Sequence, residues 1–100
     1  MIKVKYSLVD DRYVQLDIKG HSGSADSGED LICAATSSIM FGLMNALDQY
    51  EDVDIDESNN HIIITNNSSL DKVNNYIELA LIQLKTIEES YSKFIKIERK

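Results

Sequence analysis

The chain has 100 residues, 43% of them hydrophobic and 27% charged, and carries a formal net charge of −7. That length holds one domain, residues 1–100, around one modest core. The acidity excludes a broad nucleic-acid surface, since phosphate would be repelled, and it suits a basic partner, although net charge also simply keeps a small protein dissolved. The single cysteine rules out an internal disulfide, the first residues lack the apolar run of a leader, and no stretch nears the roughly 20 apolar residues of a membrane span. The expectation is a cytoplasmic protein with no membrane and no direct nucleic-acid partner.

The opening run "IKVKYSLV" alternates, putting Ile2, Val4, Tyr6 and Leu8 on one face, as in a half-buried strand. Asp10 and Asp11 supply turn chemistry, and "RYVQLDIKG" alternates again through Val14, Leu16 and Ile18 until Gly20 ends it, which predicts an antiparallel hairpin. From Ser22 to Gly28 there is no period, only small polar residues, so a mobile loop is expected. Ser27 followed by Asp30 has the form of a helix capping box. The segment "EDLICAATSSIMFGLMNALDQYE" then gives about six helical turns, with Ile32, Ala35, Ile39, Leu43 and Ala46 as the core-facing stripe.

"DVDID" and "HIIIT" flank "ESNN", a second short hairpin with Asn-rich turn chemistry. Ser68 and Asp71 repeat the capping pattern before a second long helix, whose inner face is Val73, Ile77, Ala80, Leu84 and Ile87. "YSKFIKIERK" closes the chain as an edge strand whose lysines discourage further pairing. The order is β-β-α-β-β-α-β. It predicts an α+β fold, an antiparallel or mixed sheet of about five strands packed with two long helices.

Chemistry concentrates in "GHSGSADSGEDLICAATSS", residues 20–38. It contains the only cysteine, and His21 precedes Cys33 by twelve residues. On a helix beginning at Gly28, Asp30, Cys33 and Ser37 share a face beside the apolar stripe. A nucleophilic cysteine needs its thiolate, and a nearby imidazolium or a helix N-terminus lowers the thiol's pKa from about 8.5. The helix effect fades beyond the first turn, so His21 would supply most of the shift. Gly20, Gly23 and Gly28 would let backbone approach a substrate and aim N–H groups at an oxyanion. Spacing alone leaves the alternative open: cysteine is among the most buried residue types, Asp30 can be a cap and nothing more, and Ser37 can bond back to a helix carbonyl.

Other chemistries fit less well. "GHSG" departs from the serine elbow G-x-S-x-G, and no P-loop ending is present. A metal site would have to draw on Cys33, His21 and His61 without any paired Cys or His motif, so no metal and no other cofactor is expected. His61 opens a strand after a turn and reads as a surface residue.

The joined motif resembles the signature of the bacterial ribosomal-processing cysteine proteases. That signature is G-H, a small-residue loop, G-x-D, two aliphatics, then C-A-A-x-S. Here those elements are Gly20-His21, Gly28, Asp30, Leu31-Ile32 and Cys33-Ala34-Ala35-Thr36-Ser37, and the resemblance extends over the whole chain in length and element order. It implies a small cytoplasmic homodimer that removes a short N-terminal extension from a basic large-subunit ribosomal protein during ribosome assembly. By position, Cys33 would be the nucleophile and His21 its base, with Asp30 and Ser37 supporting and Gly20, Ser22, Gly23 and Gly28 in the substrate loop. Ser22 stands where the family often has alanine, and Thr36 where an aliphatic residue is usual. The competing reading is a non-catalytic ribosome-assembly or interaction module in which Cys33 is buried and the loop grips a basic tail.

Overall fold

Asp10 and Asp11 both take left-handed φ, 51° and 63°, as a two-residue type I′ hairpin turn demands. The computed structural model describes residues 1–20 and 27–100, apart from the side chains of residues 27–30. The turn joins β1 (Ile2–Val9) to β2 (Arg12–Lys19), antiparallel, with Val4 opposite Ile18 and Tyr6 opposite Leu16. The predicted apolar face forms through Ile2, Val4, Tyr6, Leu16 and Ile18, but Leu8 and Val14 do not join the core cluster. A register shift between Ser7 and Leu8 sets Leu8 against Tyr13 rather than Val14, because a bulge adds one residue to one strand and re-aims its neighbours. Tyr13, not Val14, therefore packs on the core, its ring edge-on to Tyr6 with centroids 5.8 Å apart. Burial raises the Tyr13 phenol above its ordinary pKa of 10.0, and Glu78 and Tyr6 push the same way against Arg99.

Helix α1 (Ser27–Leu47) starts one residue before the predicted Gly28; the side chains of the proposed Ser27–Asp30 capping box lie outside the described residues. Its buried stripe is Ile32, Thr36, Met40, Leu43, Met44 and Leu47, rotated from the predicted one. Ala35, Ile39 and Ala46 are only half-buried, because Ile39 and Ala46 border a groove against the second helix. Pliable Met40 and Met44 fill the space under α1 instead.

Strands β3 (Val53–Ser58) and β4 (His61–Asn66) pair antiparallel, with Ser58 opposite His61. The turn is only Asn59-Asn60; Glu57 and Ser58, expected within it, extend β3. Asn60 takes φ 56°, which asparagine tolerates better than most side chains.

Helix α2 (Asp71–Tyr91) buries Val73, Ile77, Ala80, Leu81 and Leu84. Its predicted capping box does not form. Leu70 is the N-cap residue and has no side-chain cap. Ser68 lies two residues upstream, where its hydroxyl accepts the Leu70 N–H at 3.1 Å. The buried Asn66 holds this entry in place: Oδ1 accepts the Ser68 N–H at 2.9 Å and Nδ2 donates to the Tyr13 carbonyl at 3.0 Å. Asp71 instead pairs with Arg12 at 2.8 Å.

Strand β5 (Ile95–Arg99) lies parallel to β1, giving a mixed five-stranded sheet in the order β3-β4-β2-β1-β5. Ile2, Val4, Leu16, Ile18, Ile64 and Ile95 pack with the inner stripes of both helices into one core. Fully buried residues such as Leu16 and Leu84 each contribute about 2 kcal/mol of transfer free energy. The other sheet face carries exposed Lys3, Lys5, Lys19 and Lys96. The β5 edge is closed by Glu88 of α2, whose carboxylate accepts the Ile97 N–H at 2.7 Å.

Candidate active site

At one end of the sheet three backbone segments meet. The Gly20 N–H donates to the Asn60 carbonyl at 2.9 Å, tying the end of β2 to the β3–β4 turn. Gly20 takes φ +102°, and a Cβ on it would stand 2.5 Å from the Met1 carbonyl oxygen. Only glycine fits: the dihedral disfavours any L side chain and the neighbouring backbone occupies its place. Ile2 follows Met1 and is pinned by its N–H to the Phe94 carbonyl at 2.8 Å.

The early turns of α1 face this junction across a cleft of about 180 Å³. Cys33, Thr36, Ser37, Met40 and Phe41 form the helical side; Ile2, Ile18, Gly20 and Ile62, with Glu57 and Ser58 at the end of β3, Asn60 of the turn and His61 at the start of β4, form the other. Cys33 is half-buried and packs against the core. Ser37, one turn on, is exposed. The predicted shared face of Cys33 and Ser37 is thus a cleft wall, which is how a helix can carry polar groups beside its core stripe.

Of the sequence-derived site residues, the structure brings together Gly20, Cys33 and Ser37. His21, Ser22 and Gly23 lie outside the described residues, as does the side chain of Asp30. Gly28 and Asp30 are placed only as backbone in the first turns of α1.

His61, read from sequence as a surface residue, is half-buried. Its Nε2 lies 2.8 Å from Asp17 Oδ1, and Lys100 Nζ approaches the other Asp17 oxygen at 3.5 Å. Among the described residues, no group of three or more His, Cys, Asp or Glu side chains is arranged to hold a metal ion, and no helix is long and apolar enough to cross a membrane.

Sequence reasoning missed Met40, Phe41 and the β3–β4 turn as cleft walls. Met40 and Phe41 follow Cys33 by two helical turns and were findable from periodicity. The Asn60–Gly20 bond joins residues forty positions apart, and no local signal announces it. Exposed acids lead up to this side of the cleft: Glu51, Asp52, Asp54, Asp56 and Glu57 lie on β3 and its approach.

A family model described as cysteine protease Prp matches residues 1–96. Ribosomal processing cysteine protease Prp of Bacillus subtilis (strain 168) is 30% identical over 93 residues, covering 84% of this chain and 83% of its own. The crystal structure of the essential ribosomal processing protease Prp from S. aureus, in complex with a substrate peptide, superposes with a TM-score of 0.90 at 27% identity over 100% of both chains. The same S. aureus protein with a covalently linked product peptide gives a TM-score of 0.87, again at 27% identity over 100% of both chains.

Proposed function

Because the chain belongs to the cysteine protease Prp family, and is a ribosomal-processing cysteine protease, we propose that Cys33 is its nucleophile and His21 its base. The substrate in this reading is the short N-terminal extension of a basic large-subunit ribosomal protein. The observation that carries the assignment is that Gly20 and Cys33 line one cleft. Gly20 immediately precedes His21, and a peptide unit advances the chain by only about 3.8 Å.

His21 takes the Cys33 thiol proton, and the thiolate sulfur adds to the scissile carbonyl carbon. Backbone N–H groups of the glycine-containing loop or of the start of α1 stabilise the resulting oxyanion. Protonated His21 gives its proton to the departing amine as the C–N bond breaks, leaving a thioester on Cys33. Water, deprotonated by His21, then attacks the thioester and releases the acid product and the thiol. Asp30 and Ser37 support this machinery, and Ser22, Gly23 and Gly28 belong to the loop that covers the peptide. The enzyme works in the cytoplasm as a homodimer and reaches its target through protein contacts rather than RNA.

The acidic run on β3 supports a basic substrate, since it places negative charge beside the cleft mouth and opposite charges speed encounter. Cleavage of a synthetic peptide spanning the extension junction tests the assignment. Cys33→Ala should abolish turnover while leaving the circular dichroism spectrum and urea midpoint close to wild type, and treating the wild-type enzyme with iodoacetamide should abolish turnover as well. Undiminished turnover by Cys33→Ala would end the proposal.

A further inference from the structure

The inward positions of β3 are Val53, Ile55 and Glu57, which stand opposite Asn66, Ile64 and Ile62 of β4. Ile64 is wholly buried, Ile62 is in turn opposite the buried Ile18 of β2, and Val53 and Ile55 pack on the core. Glu57 therefore breaks an apolar series. Alternation points its side chain to the helix-bearing face of the sheet, and there it lines the cleft with Cys33. Asp54 and Asp56 alternate to the other face, and neither lines the cleft. Glu57 is exposed, so a ligand can reach its carboxylate. None of the ion pairs among the described residues includes it. Asp17, on the outer face, is by contrast held by His61 and Lys100.

We propose that Glu57 is a specificity-determining residue whose carboxylate pairs with a lysine or arginine side chain of the peptide bound in the cleft. The inference rests on the proteolytic reading of the cleft and names one contact within it. Steering by the acidic run acts at a distance on any basic peptide, whereas this contact acts at one position of the peptide sequence. The wall beside Glu57 includes Ile2, Ile18 and Ile62, and a peptide laid along it displaces water from the carboxylate. A charge that loses water without gaining a partner is penalised. A lysine or arginine supplies that partner through a charge-assisted hydrogen bond. A neutral side chain leaves the penalty in place, and an acidic one adds repulsion.

The test is a set of peptides spanning the scissile bond, identical except at one position at a time, which is varied through Lys, Gln and Glu. Wild type, Glu57→Gln, Glu57→Lys and Asp56→Asn are compared by kcat/KM at one fixed ionic strength. Glu57→Gln preserves the shape of an exposed side chain, so its circular dichroism should match wild type. Wild type should prefer Lys over Gln at one position by about tenfold and disfavour Glu there. Glu57→Gln should bring the ratio of Lys to Gln at that position to within about twofold of unity, and Glu57→Lys should turn the preference toward Glu. Asp56→Asn removes an equal charge from the other face and should keep the ratio within about twofold of wild type. If wild type cleaves but favours Lys at no single position, or Glu57→Gln keeps the preference, or Asp56→Asn erases it equally, the role of Glu57 is overturned while the protease assignment stands. If wild type cleaves none of the peptides, the protease assignment fails and takes this inference with it.

Discussion

Substituting the two glycines at positions 20 and 42 by alanine should move stability in opposite directions. At Gly20, φ +102° lies where an L residue is strained by about 1–2 kcal/mol. The new Cβ would also meet the Met1 carbonyl oxygen at 2.5 Å, against 3.4 Å for ordinary contact, so the backbone must yield by nearly an ångström. That backbone leads directly into Ile2, which is 2% exposed and held to Phe94. Overpacking of this kind costs about 1–3 kcal/mol, so Gly20→Ala should lose about 3 kcal/mol in total. For a chain of this size that is a fall of roughly 12–24 °C in Tm. Gly42 lies mid-helix in α1, and a Cβ there meets nothing within 4 Å. Gly42→Ala should therefore gain about 1 kcal/mol, by restricting the unfolded chain and raising helix propensity. Urea unfolding of both variants beside wild type, at matched m-values, measures the difference of about 4 kcal/mol. A Gly20→Ala protein within 0.5 kcal/mol of wild type would show that the β2 end is not held as described.

Asn66→Ala removes the acceptor for the Ser68 N–H and the donor to the Tyr13 carbonyl, and should cost about 3 kcal/mol in urea unfolding by stranding two backbone groups. The raised Tyr13 pKa has a definite sign: above pH 10 the unfolded phenol ionises before the folded one does. Stability should then decline as pH climbs past 10, and Tyr13→Phe should flatten that decline in urea midpoints taken between pH 8 and 11. Raising salt should lower kcat/KM on a basic peptide, chiefly through the encounter rate, and replacing Asp54, Asp56 and Glu57 by Asn, Asn and Gln should remove most of that dependence. A salt-independent rate would assign those acids to hydration alone.

Element order, the two hairpins and the inner face of α2 could be read from the chain because each is local. Period-two runs, turn residues and the spacing of Val73, Ile77, Ala80 and Leu84 are all properties of neighbouring positions. The failures share the opposite origin. Val14 was assigned to the core because alternation assumes an unbroken ladder, and the bulge that moves Tyr13 there is a property of the strand pair. Ser68 and Asp71 matched a capping pattern, but Arg12, distant in sequence, takes Asp71, and Asn66, itself fixed to the distant Tyr13 carbonyl, holds the Ser68 backbone. At the candidate site, the G-H and C-A-A-x-S elements pointed to Cys33 directly. The opposite wall could not be seen, since Ile2, Gly20 and Asn60 converge only through the sheet. Thr36 stood out merely as a departure from an aliphatic pattern; that its hydroxyl oxygen is sheltered without a partner among the described residues emerges only with packing.

The carboxylate that α2 extends to the Ile97 amide has a consequence for the behaviour of the protein in concentrated solution. A foreign strand seeking to lengthen the ribbon at β5 finds that docking position already taken. At the opposite margin, two molecules approaching β3 to β3 bring Asp54, Asp56 and Glu57 of each against the same residues of the other, a juxtaposition that like charge opposes. Both margins thus resist templated growth into fibres by different means, one by occupancy and one by repulsion.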